Sequence, residues 1–167
     1  YAYDDGSAEA AYGLNANGSK LAYQFTLNNS DTLRAIDIHF SQVMEDVSQE
    51  FFYLTVWSSL NPENIVYQKG FQTPYYEDSL NKFHTYLLDD ELILNGSFYI
   101  GWVQTSSEML NIGFDKNTDA SNHLYYNTSG TWLGSIINGA VMMRPLFGDT
   151  VLPIVGMDPA LDDLTNN

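Results

Sequence analysis

"KLAYQFTL", residues 20–27, decides the fold. Leu21, Tyr23, Phe25 and Leu27 alternate with Lys20, Ala22, Gln24 and Thr26. A period of two places the first set on one face of an extended chain and the second on the other. The same alternation recurs in "RAIDIHF" (34–40), where Ile36, Ile38 and Phe40 share a parity, and in "FFYLTVW" (51–57), where Phe52, Leu54 and Val56 do. "KFHTYLL" (82–88), "SFYIGWV" (97–103), "LNIGF" (110–114), "HLYYN" (123–127) and "AVMMRPLF" (140–147) continue the series. Short runs rich in Tyr, Phe, Ile, Val and Thr are strands.

Turn-forming clusters separate these runs: "NANGS" (15–19), "NNSD" (28–31), "SLNPEN" (59–64), "LNGS" (94–97), "NTSG" (127–130) and "INGA" (137–140). The pattern predicts about ten strands at a spacing of roughly 10–15 residues, too tight for crossover helices. The expected fold is therefore all-β: an antiparallel two-sheet β-sandwich of jelly-roll type. "SQVMEDVSQE" (41–50) has mixed spacing and reads as a long loop. "SFYIGWV" is apolar at both parities, so it reads as a central strand covered on both sides, or as one whose outer face a partner buries. The sandwich should span residues 1–148. Past Gly148 the alternation stops, and 149–167, with two prolines and four acidic residues, reads as a C-terminal linker or tail.

The chain has 167 residues, enough to bury roughly two-thirds of its unfolded surface without staples. It has no cysteine, which excludes disulfides and thiolate metal sites. Six basic side chains face 21 acidic ones. Such a surface repels phosphate backbones and anionic membranes, so neither nucleic acid nor membrane insertion is expected. The chain opens at "YAYDDG" without Met and is read as a processed or excised piece.

Four constellations could carry chemistry. In "DKNTD" (115–119), Asp115, Asn117 and Asp119 carry side-chain oxygens at alternate positions, as calcium loops do at their start. Ala120 stands where an EF-hand has Gly, and Tyr126 where it has the bidentate Glu, so that motif is excluded. A looser structural Ca2+ site remains open, with Asp4, Asp5 and Glu9 as candidate contributors; so does a plain Asx turn. Second, Asp4 and Asp5 are adjacent and point apart, a poor pair for glycosidic cleavage. Third, His39, His84 and His123 lack zinc-ligand spacing, although His84 and Tyr86 share a strand face as in some polysaccharide lyases. No nucleophile elbow, P-loop or dinucleotide fingerprint occurs. Fourth, Trp57 lies opposite the Phe52/Leu54/Val56 face and should point outward. Tyr75, Tyr76 and Trp132 sit in or beside loops. These four aromatics are the candidate ligand-binding residues, since exposed rings stack on sugar faces; core packing is the alternative.

In order along the chain, "YDDGSAEAAYGL" (3–14), "GSFYIGW" (96–102), "NIGFDKNT" (111–118), "GTWLG" (130–134) and "VMMRPLFG" (141–148) resemble a β-sandwich accessory domain of secreted Bacteroidetes proteins. That domain stands upstream of the C-terminal sorting domain read by type IX secretion, and "PALDDLTNN" (159–167) is similar to the linkers between them. The resemblance implies a non-catalytic extracellular or cell-surface module of a larger protein. Its partners would be neighbouring domains of the parent, a polysaccharide and, through an absent sorting domain, the secretion machinery. Bacteroidetes O-glycosylation at Asp-Ser/Thr before an apolar residue would make Thr32, Ser79 and Thr150 acceptors. The expected function is a spacer or carbohydrate-binding module. A compact jelly-roll glycosidase or lyase, and an adhesin or docking module, are the alternatives.

Overall fold

A computed structural model of the protein describes residues 1–148. The linker reading for 149–167 and the acceptor Thr150 lie outside the described residues. Ten strands form: β1 (Ala10–Tyr12), β2 (Lys20–Ile38), β3 (Phe52–Leu60), β4 (Glu63–Gln72), β5 (His84–Gln104), β6 (Ile112–Asp115), β7 (Leu124–Asn127), β8 (Leu133–Gly134), β9 (Ala140–Val141) and β10 (Met143–Phe147). The one helical element among the described residues is a single 3-10 turn, Ser121–His123. All pairings are antiparallel. The larger sheet runs β4-β3-β5-β2-β7-β8, with β10 also on β2, and the smaller runs β1-β6-β9. The two sheets pack together as the expected β-sandwich.

The inward faces follow the alternation. Leu21, Tyr23 and Phe25 of β2, Phe52, Leu54 and Val56 of β3, and Phe98, Ile100 and Trp102 of β5 close on Tyr12, Ile112, Phe114 and Val141 from the smaller sheet. Burying a single such side chain is worth roughly 1.5–3 kcal/mol, so this layer is what makes the sandwich.

Two expected turns are not turns. "NNSD" and "LNGS" lie opposite each other inside one continuous ribbon of β2 and β5. The ladder steps from Leu27↔Gly96 to Asp31↔Leu94, so residues 28–30 oppose Asn95 alone. Gly96 takes a left-handed φ of 68°, which glycine adopts without steric cost. The turn chemistry is therefore used to kink both strands together while they stay paired, a bulge rather than a reversal. A second shift falls between Leu33 and Ala35, and there Arg34 pairs with Glu91.

β5 runs between β3 and β2, which resolves the two-sided apolarity of "SFYIGWV". Its outer face carries Tyr99 and Val103 into a second, smaller cluster with Ala22, Trp57, Leu60, Tyr125 and Trp132. The Trp57 and Trp132 rings meet edge to face at 5.5 Å, and Tyr99 meets Tyr125 at 5.7 Å. Trp57 donates its indole N–H to Glu63 Oε1 (3.0 Å), and Lys20 Nζ grips the same carboxylate (2.7 Å). Burial alone would raise the Glu63 carboxyl, but the hydrogen bonds from Lys20 and Trp57 hold it below its ordinary value.

The two ends of the described chain meet. Arg144 of β10 grips Asp4 through both Nε and a terminal nitrogen, and Asp4 Oδ1 also accepts the Gly6 N–H (3.0 Å). The Asp4 side chain is wholly buried. The Arg144 guanidinium lies 4.3 Å from the centre of the Phe83 ring, and Tyr1 sits edge-on to Phe147 at 5.5 Å.

Candidate functional site

The "DKNTD" loop follows β6 directly. Asp115 is fully buried, and both of its carboxylate oxygens are engaged by backbone: Oδ1 accepts the N–H of Asn117 (2.6 Å) and of Thr118 (3.2 Å), and Oδ2 accepts that of Asp5 (2.8 Å). The N-terminal acids do come to this loop. Asn117 Nδ2 donates to Asp5 Oδ2 (3.2 Å), and Glu9 Oε2 accepts the Lys116 N–H (2.9 Å). Asp119 turns elsewhere, its Oδ1 accepting the N–H of Ser121 (3.0 Å) and of Gly139 (3.3 Å). Hydrogen bonds hold two of these carboxyls below the usual range: Asp5 chiefly through the Ser7 hydroxyl, and Asp119 through Ser121.

A calcium ion wants roughly six to eight free oxygens converging on one point. Here both Asp115 oxygens and Asp119 Oδ1 are turned to N–H donors, and no three acidic or histidine side chains converge among the described residues. Asp115 and Asp119 close Asx turns in the loop, and these bonds favour the turn over the calcium site as the reading of "DKNTD". Calcium-loaded and EGTA-treated protein should therefore melt within about 1 °C of each other. A site hundredfold over its Kd would add about 2.7 kcal/mol, roughly 5–10 °C here, and a shift of that size would overturn this assignment.

The four candidate aromatics part company. The expectation that Trp57 is exposed is corrected. Its side chain does point away from the main core, but the segment carrying Trp132 folds over that face and leaves Trp57 with no exposure. Trp132 is half-buried as the cover. Tyr76 is half-buried against the main core, and its hydroxyl accepts the Val47 N–H (3.2 Å). Only Tyr75 stands out, 53% exposed.

Tyr75 stands on the wall of an open cleft of about 300 Å³, whose lining includes Phe71, Gln72, Thr73, His84 and Thr85. Its ring stacks on His84 with centroids 4.3 Å apart. His84 is in turn fixed by Glu77, whose Oε1 lies 2.8 Å from Nδ1. In the tautomer whose Nδ1–H donates to that carboxylate, His84 offers Nε2 as an acceptor. The hydrogen bond from His84, helped by the Lys82 charge, holds Glu77 below its ordinary value. Tyr86 braces the cleft from beneath. Its hydroxyl donates to the Thr73 carbonyl (2.9 Å) and accepts the Tyr75 N–H (3.2 Å). Burial pushes that hydroxyl's pKa up.

The cleft thus combines the exposed Tyr75 ring, backed by His84, with the polar side chains of Gln72, Thr73 and Thr85. His84 and Tyr86 do share a side of β5, with rings 4.9 Å apart, as their parity predicts. Sequence reasoning missed Phe71, Gln72 and Thr73, because β4 itself lacks clean alternation, and it missed Glu77 as the brace for His84. No protein-family model, curated protein or solved structure matches this chain. Among the described residues, no helix is long and apolar enough to cross a membrane.

Proposed function

We propose that the protein is a non-catalytic carbohydrate-binding accessory module of a larger extracellular protein, and that it takes a sugar at the Tyr75 cleft. The observation that carries this reading is the mounting of Tyr75. An exposed ring is stacked on a histidine that a carboxylate braces, and its backbone is pinned by a buried tyrosine. A ring held in this way loses little freedom on binding, which is where weak surface sites otherwise lose affinity. The apolar C–H face of a sugar would lie on Tyr75. Its hydroxyls would find Gln72, Thr73, Thr85 and the free nitrogen of His84.

A lyase would need Tyr86 as a base beside His84. The Tyr86 hydroxyl is committed to Thr73 and Tyr75 and is harder to ionise than a free tyrosine, which favours the binding reading. The resemblance of the chain to secreted accessory domains supports the extracellular placement, and Ca2+ has no part in the reading. Affinity electrophoresis and calorimetry against soluble neutral polysaccharides test it. Tyr75→Ala should weaken binding about tenfold or more, equivalent to about 1.4 kcal/mol, with the melting temperature unchanged. Equal binding by both proteins, or none by wild type, would refute the site.

A further inference from the structure

A single sugar on Tyr75 leaves another aromatic of the cleft unexplained. Phe71 lines it too, 80% exposed. Its backbone has a φ of 57°, a left-handed conformation that a bulky side chain rarely adopts. The position is a bulge in β4. The ladder passes from Phe52↔Gln72 to Leu54↔Lys69, so Gly70 and Phe71 together oppose Tyr53. Gly70 lets the Tyr53 ring lie against the backbone; a Cβ there would sit 3.0 Å from Tyr53 Cε1. Phe71 itself rests only an edge on Phe51, at 5.8 Å. Glycine or asparagine would hold this bend more comfortably. A strained, outward-facing aromatic beside a candidate site is the combination that points to function.

We infer that Phe71 is a second stacking platform of the same cleft, and that its ligand is an extended neutral oligosaccharide rather than one terminal sugar. This rests on the reading of Tyr75 given above. Tyr75 lies four positions after Phe71, so their α-carbons lie at most about 14 Å apart. Gln72 and Thr73 occupy the interval with polar groups. The charge of the ligand follows from the surroundings. Lys69 is committed to Asp89 (2.6 Å), and Lys82 to Asp78 (3.3 Å) and Glu77 (3.5 Å). The flanking segments therefore offer no unpaired lysine to a uronate carboxylate, and the net charge of −15 opposes one.

Calorimetry on wild type, Tyr75→Ala, Phe71→Gly and Phe71→Asn tests this. The probes are neutral gluco-, manno-, galacto- and xylo-oligosaccharides of two to six units, with oligogalacturonides alongside. Wild type should bind longer neutral chains more tightly than disaccharides. Both Phe71 variants should lose that length dependence, about tenfold at the longest chain, and keep disaccharide binding. Their melting temperatures should stay level or rise, because the left-handed strain is relieved. Wild-type affinity for long chains in both Phe71 variants, with Tyr75→Ala binding abolished, would overturn the inference and leave the site standing. So would a preference for galacturonides, or a fall in melting temperature in both Phe71 variants. No oligosaccharide binding by wild type would sink the site itself.

Discussion

Gly101→Ala should cost at least about 3–4 kcal/mol of stability, at the upper end of what overpacking does. Gly101 lies near the C-terminal end of β5, inside the sheet, paired with Ala22 on one side and Thr55 on the other. A Cβ built on it would lie 1.9 Å from the Leu21 carbonyl oxygen and 2.8 Å from the carbonyl carbon. Both are backbone atoms within the central ladder, so no side-chain rotation relieves the contact. The strands would have to part, and this ladder carries the large sheet. At this chain length the loss is roughly 10 °C in melting temperature. Gly134→Ala is the matched control. Gly134 is also a strand glycine, but it is exposed with nothing within 4 Å of a Cβ, so that change should stay within about 0.5 kcal/mol. Equal melting temperatures for the two variants would mean that β2 and β5 are not in the register described.

The second large effect belongs to Arg144. Arg144→Ala leaves the buried Asp4 carboxylate with only the Gly6 N–H as partner. Removing one member of a buried pair costs about 3–5 kcal/mol, mostly through the charge left behind. Arg144 is itself 30% exposed on its side chain, so about 3 kcal/mol is the appropriate expectation. The loss should be smaller once Asp4 is neutral. In a double-mutant cycle with Asp4→Asn, the Arg144→Ala step should be milder by about 1–2 kcal/mol. Denaturant melts of the four proteins give the coupling directly. Strict additivity would show that the N-terminal segment is not held through this pair.

The sequence-derived strands and the structure agree where one face is buried and the other solvated. Leu21, Tyr23 and Phe25 against Gln24 and Thr26 is the plainest case. Agreement fails where both faces are alike. β4 is an edge strand, largely exposed along its length and interrupted by three register shifts, so its residues carry no period-two signal. "NNSD" and "LNGS" have real turn composition, and nothing local says that the two segments kink side by side instead of reversing. Trp57 shows the limit of parity. Its outward direction could be read from Phe52, Leu54 and Val56, but its cover is Trp132, far along the chain, and only the folded arrangement brings the two together. The cleft was half legible. Tyr75 stood out as a loop aromatic and the parity of His84 with Tyr86 was readable. The stack of Tyr75 on His84 and the brace from Glu77 depend on how the loop between β4 and β5 folds back.

The meeting of Asp4 with Arg144, and of Tyr1 with Phe147, has a mechanical consequence. The first and last described residues of this sandwich lie against each other. Force applied at these two ends would load the Asp4–Arg144 pair and the Tyr1–Phe147 contact together with the bonds that tie Gly148 to Thr32 and Arg34 and the ladder of β10 on β2.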